Sequence, residues 1–126
     1  MITTHANRLI RRGDLYWVPS EGPDAGYPHP YVVLQEDVFN RSRIPTVVVC
    51  ALTTNLNRAA QPGNVLLEPG EGGLPKQSVV EVSKVSVVDK SRLGEYIGAL
   101  SAARVEQILA GMRFLQRMED GREAHP

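Results

Sequence analysis

The chain has 126 residues, 42% hydrophobic and 22% charged, which is enough for one domain around one core. Its formal net charge is zero, which excludes a bulk polycation, so any nucleic-acid binding has to come from a local basic patch. One cysteine, Cys50, excludes an internal disulfide and fits a reducing cytoplasm, while no apolar run reaches the roughly 20 residues of a membrane span.

Nine prolines and eleven glycines suit short strands joined by turns. Residues 1–10 show no period and read as a flexible arm, with Arg8, Arg11 and Arg12 where it meets a domain spanning 11–118. A first strand, Leu15 to Val18, carries Tyr16 and Trp17 in alternation, so one enters the core and the other is left to stack on a base. Pro19 to Pro30 is a Gly- and Pro-rich loop carrying Glu21 and Asp24. It ends in Gly26-Tyr27-Pro28-His29-Pro30, where the two prolines hold His29 away from helix, on a stiff support at the mouth of a second strand, Tyr31 to Gln35.

Glu36 to Arg43 is a polar, basic turn region. Thr46 to Leu52 is an unbroken, β-branched apolar run and reads as a central strand buried on both faces, ending in Thr53-Thr54-Asn55. Asn64 to Glu68 is a short fourth strand. In a long fifth strand, Ser78 to Val88, Val80 and Val82 share one face while Val85 and Val87 fall on the other. A period-2 strand changes its apolar face only through a bulge or bend, expected here near Ser83-Lys84. A last helix is capped by Ser101, with Val105, Ile108, Leu109, Met112 and Leu115 as its apolar stripe. Phe114 and Met118 lie off that stripe, under a loop or, by preference, against a second subunit. Residues 119–126 read as a disordered tail. Some five short strands, a C-terminal helix and no β-α-β alternation give a mainly β fold, a small barrel or half-barrel with a helix packed on it.

Metal and cofactor sites are not expected. His5, His29 and His125 are scattered, Cys50 has no partner at zinc-ligand spacing, and Gly70-Glu71-Gly72-Gly73 lacks the strand-to-helix context of a phosphate loop.

Several stretches together resemble the MazF/PemK (Kid) toxins of bacterial toxin–antitoxin systems. They are Arg12-Gly13-Asp14-Leu15-Tyr16-Trp17, then Pro30 to Asp37, then Pro45 to Thr53, then Gln77 to Val80 followed by Val88 to Leu93, in the family's order and over most of residues 11 to 117. The resemblance implies an SH3-like (CcdB/MazF-type) β-barrel with a C-terminal α-helix, forming a homodimer. It implies a metal-independent, sequence-specific endoribonuclease acting on single-stranded mRNA, held in check by an antitoxin with an acidic, flexible tail. The family's catalytic threonine carries over as Thr53, whereas its arginine is replaced by His29, after a shorter loop.

Metal-free RNA cleavage uses the 2′-hydroxyl as nucleophile and needs a base, an acid and donors for the phosphoryl oxygens. Arginine is a charge clamp; histidine is able to exchange protons as well. His29 is therefore assigned acid/base duty and Thr53 a hydrogen bond to the scissile phosphate, with Arg12 or Arg41 supplying the missing positive charge nearby. Gln35, Asn40, Arg41, Arg43, Ser78 and Lys84 are the further candidates for RNA contact. Against these stand plainer readings: His29 as a loop residue stacked on Tyr27 or Tyr31, and Gln35 and Asp37 as turn pins. Two other functions remain open, a CcdB-like toxin that binds a protein target without catalysis, and a degenerate relative that binds RNA or antitoxin without cutting.

Overall fold

A computed structural model describes residues 9–19 and 27–123 of the chain, with side chains as far as residue 117. Six strands are present: β1 (Asp14–Pro19), β2 (Pro28–Val33), β3 (Thr46–Thr53), β4 (Val65–Leu66), β5 (Val79–Asp89) and β6 (Tyr96–Ala99). A short helix α1 (Asp37–Asn40) lies between β2 and β3, and a long helix α2 (Ala102–Glu123) follows β6. The strands form one sheet in the order β4-β5-β3-β2-β1-β6, antiparallel throughout.

The sheet is apolar on both faces, as the unbroken run of β3 requires. Val47 and Val49 enter one cluster with Ile10, Tyr16, Val18, Val33 and Leu93. Cys50 and Leu52 enter another with Leu15, Val32, Val80, Val82 and Ile108 of α2. Adjacent residues such as Leu15 and Tyr16, or Val32 and Val33, thus go to opposite cores, the signature of strand periodicity. Each such side chain contributes about 1.5–3 kcal/mol on full burial.

The bulge expected in the fifth strand is present. Thr46 to Cys50 pair with Asp89 to Val85 in regular register, but Leu52 pairs with Val80, so Glu81 to Lys84 all stand opposite Ala51. This excursion returns Val85 to the face of its partner Cys50, which a regular strand could not do.

The sheet curls into a half-barrel, and the side left open between its edge strands β4 and β6 is bridged by the loop after β4. Gly72, at φ +67°, passes so close to β6 that a Cβ on Gly98 would run into the Gly72 carbonyl. One on Gly72 would sit 2.7 Å from Leu15 Cδ1. Two backbones meet there because neither residue carries a side chain.

Helix α2 begins as the sequence foretells: the Ser101 hydroxyl accepts from Arg104 N–H at 3.2 Å. Val105 and Ile108 are buried and Met112 packs against the core. Arg104 clamps Glu71 through two bonds, Nε to Oε2 at 2.7 Å and Nη2 to Oε1 at 3.0 Å, which ties the bridging loop to the helix.

The structure departs from the sequence reading in four places. Strand β6 had no counterpart there, and the polar turn after β2 contains the short helix α1. Ile10, placed in the arm, is buried in the core; residues 1–8 lie outside the described residues. Helix α2 runs to Glu123, past the start of the expected tail and through Gly121.

Candidate active site at the strand ends

His29 and Thr53 both lie toward one end of the β2–β3 pair. His29 lies in β2 opposite Val18 of β1 and is exposed. Thr53 ends β3 opposite Val79 of β5 and is half-buried. Strands β2 and β3 pair as Tyr31↔Ala51, Val32↔Cys50 and Val33↔Val49. The pairing ends there, with His29 two residues before Tyr31 and Thr53 two residues after Ala51, so strand alternation gives both the sheet face of Tyr31 and Ala51. Thr53 Oγ1 accepts from Asn55 N–H at 3.1 Å, which leaves its own proton to donate. The imidazole has no hydrogen bond or ion pair among the described residues.

The β5 bulge borders this end. Lys84 has a 57% exposed side chain, and its ammonium lies 3.6 Å from Glu81 Oε1. Glu81 is buried, an unusual place for a carboxylate with one ion-pair partner. Its backbone carbonyl accepts from the Cys50 thiol at 3.0 Å, and burial together with the Glu81 charge pushes that thiol up to about 12. Ser78 is buried, and its hydroxyl donates to the Lys76 carbonyl at 2.9 Å.

The remaining candidates gather at the opposite end of the sheet. Arg12 was expected beside His29, but its Nε donates to the Leu34 carbonyl at 2.9 Å and its Nη1 lies 3.2 Å from Glu36 Oε2. Leu34 lies five residues beyond His29, roughly 16 Å along a strand. The reason is topological: Gly13 N–H donates to the Val33 carbonyl, so the start of β1 meets the end of β2 and not its beginning. Arg41 follows α1 at that same end and cannot serve as the charge beside His29 either.

That second cluster is internally satisfied. Asn40 Nδ2 donates to the Gln35 carbonyl at 2.9 Å and to Asp37 Oδ1 at 3.2 Å, and Gln35 Nε2 donates to Asn40 Oδ1 at 3.0 Å. Asp37 Oδ1 also accepts Arg12 N–H at 2.7 Å. That bond above all holds the Asp37 carboxyl below its ordinary 3.8, with Asn40, Arg41 and Arg11 assisting against desolvation. Gln35, Asp37 and Asn40 pin a turn. Arg41 and Arg43 remain exposed beside it.

Glu21 and Asp24 fall outside the described residues. Glu81 was missed from sequence; its alternation with Val80 and Val82 marks it as pointing away from their core, but only the bulge explains how it becomes buried. Among the described residues no three His, Cys, Asp or Glu side chains form a group able to hold a metal ion, and no helix is long and apolar enough to cross a membrane.

A curled antiparallel sheet with one C-terminal helix defines a class of small, mainly β half-barrel proteins. Residues 11–115 match the model of the PemK-like, MazF-like toxins of type II toxin–antitoxin systems, and the chain belongs to that family. It is 33% identical over 108 residues to the endoribonuclease MazF2 of Mycobacterium bovis, covering 83% of this chain and 95% of that one. Against the endoribonuclease MazF of Staphylococcus epidermidis it is 35% identical over 103 residues, 79% of this chain and 85% of the relative. The fold is that of MazF in a MazE–MazF crystal structure from Deinococcus radiodurans, with a TM-score of 0.70, 21% identity, and 87% of this chain and 97% of that one covered.

Proposed function

We propose that this endoribonuclease toxin cuts single-stranded mRNA, without metal, at the paired ends of β2 and β3. The observation that carries the reading is the β2–β3 pairing that ends at Tyr31↔Ala51, with His29 two residues before Tyr31 and Thr53 two residues after Ala51. His29 takes the proton of the 2′-hydroxyl as its oxygen attacks phosphorus, the bond to the 5′-oxygen breaks, the departing oxygen takes a proton from water, and a 2′,3′-cyclic phosphate and a 5′-hydroxyl result. Thr53 donates to a phosphoryl oxygen as charge grows there. Lys84, not Arg12, is the cation on this end, and the RNA to either side follows the exposed Arg41 and Arg43 across the sheet.

The exposed apolar side chains of Phe114 and Leu115 on α2 and of Val85 and Val87 on β5 support a homodimer, since a second copy would remove them from water. The partner that restrains the toxin is an antitoxin with an acidic, flexible tail, which the cations at the site would attract. An RNA substrate and a single buried cysteine fit a cytoplasmic setting. A CcdB-like binding role is not favoured, as the relatives are endoribonucleases.

One observation keeps a second reading in play: nothing among the described residues orients the imidazole of His29. Purified protein incubated with a long RNA in EDTA separates the two. Discrete fragments with new 5′-hydroxyl ends support cleavage; a band shift of intact RNA supports binding alone. Cleavage that vanishes in EDTA contradicts the metal-free chemistry.

A further inference from the structure

A concavity at the loop end of β1 and β2 has no part in the chemistry above. It encloses about 410 Å³ and is lined by Trp17, Pro19, Pro28, Gly94 and Glu95. Trp17 pairs with Pro30 and Pro19 with Pro28, so the indole and the prolines share one face of the two strands, while Val18 and His29 take the other. The walls are held by backbone bonds. Gly94 N–H donates to the Trp17 carbonyl at 2.7 Å, and Trp17 N–H donates to the Glu95 carbonyl at 3.0 Å. Arg92 Nη2 donates to the Pro19 carbonyl at 3.2 Å and braces the strand end. Glu95 is exposed, and its carboxylate has no hydrogen bond or ion pair among the described residues.

We infer that this concavity is a base-reading subsite that takes a guanine of the bound RNA, stacked on Trp17, its N1–H and N2–H donating to the two carboxylate oxygens of Glu95. The assignment rests on the reading of the chain as an RNA-cutting toxin and adds what that site selects. An indole flanked by prolines offers flat apolar surface, which suits the planar ring of an unpaired base. Among the described lining residues the one ionised side chain, Glu95, is an acceptor only, so it selects for donors and repels phosphate or an acidic peptide. Guanine carries two adjacent N–H donors on its pairing edge, the pattern a carboxylate accepts in parallel. Cytosine and adenine set one amino group beside an acceptor nitrogen, and uracil sets one N–H between two carbonyls. Position agrees with chemistry: Pro28 immediately precedes His29, so a nucleotide a few steps from the scissile bond reaches round the strand end into the concavity.

Trp17 is the only tryptophan in the chain, so its emission reports the subsite directly. The probes are 2′-O-methyl pentanucleotides, uncleavable because the nucleophile is blocked, with uridines at four positions and guanine, adenine, cytosine or uracil at the centre. The guanine probe is expected to quench Trp17 and to bind roughly tenfold tighter than the others. Glu95→Gln should erase that preference and broaden the set of sites cut. Equal binding of all four probes to the wild-type protein overturns the proposal. So does a Trp17 signal that answers to an acidic peptide and to no oligonucleotide, which would make the concavity a protein-docking surface. If RNA stays intact while the guanine probe still quenches Trp17, the cleavage reading fails and the subsite stands.

Discussion

At the scale of single residues, the proposed chemistry depends on His29, the position where the family resemblance implies an arginine. A guanidinium holds charge but does not readily release a proton, whereas an imidazole does both. His29→Ala should therefore lower RNA cleavage at least tenfold while leaving the circular dichroism unchanged. His29→Arg should lower cleavage as well, since a guanidinium keeps the charge but cannot take the proton of the 2′-hydroxyl; full cleavage by that variant would remove His29 from proton transfer. Cys50 gives an opposite case. Its thiol is buried and raised to about 12, so the folded protein should resist alkylation by iodoacetamide at pH 8, read by mass spectrometry, and react once denatured. The two prolines flanking His29 marked it as a candidate in the sequence. That β2 and β3 are neighbours, with Thr53 toward the same end as His29, was not legible, because register between strands is set by tertiary contacts that no local pattern records.

The elements show how local signals and long-range packing divide the work. The Ser101 cap and the β5 bulge were readable because hydroxyl capping and side-chain alternation are local. Strand β6 was not: Gly94 and Gly98 dilute its apolar pattern, and its partner β1 lies near the other end of the domain. The helix packing carries a sign reversal. Alanine ordinarily replaces glycine inside a helix with a gain of about 1 kcal/mol. Gly111, however, crosses Gly63, whose own Cβ would lie 2.8 Å from the Gly111 carbonyl, and a Cβ on Gly111 would collide with the Gly63 backbone. Gly111→Ala should thus destabilise by roughly 1–3 kcal/mol in urea denaturation, the scale of overpacking. The α1 turn has its own pH signature. The Asp37 carboxyl is depressed when folded, so its contribution is complete above its unfolded value near 3.8 and fades as pH falls through the lower folded value. Asp37→Asn should flatten the loss of thermal stability below about pH 4; an identical acid slope in the variant would show that the turn bonds do not respond to that charge.

For the whole molecule, the basic candidates are split along the sheet, with Lys84 in the β5 bulge opposite Ala51 and with Arg12, Arg41 and Arg43 around the turn that follows β2. A zero net charge is compatible with RNA binding only if such local groups act along a track. The outer pairing, Leu15 with Gly98, joins strands from the two ends of the domain. A chain ending at Glu95 should therefore lose its near-ultraviolet signal and its cleavage together, since β1 loses a neighbour and the core under α2 opens to water. The same topology sets the order of events during synthesis. His29 and Thr53 leave the ribosome early, but β3 has no second neighbour until residues 79–89 follow and β1 none until 96–99. Long-range pairings of this kind form late. A nascent chain should therefore lack a closed sheet, and with it any means of cutting the message being translated, until residues 96–99 have been made.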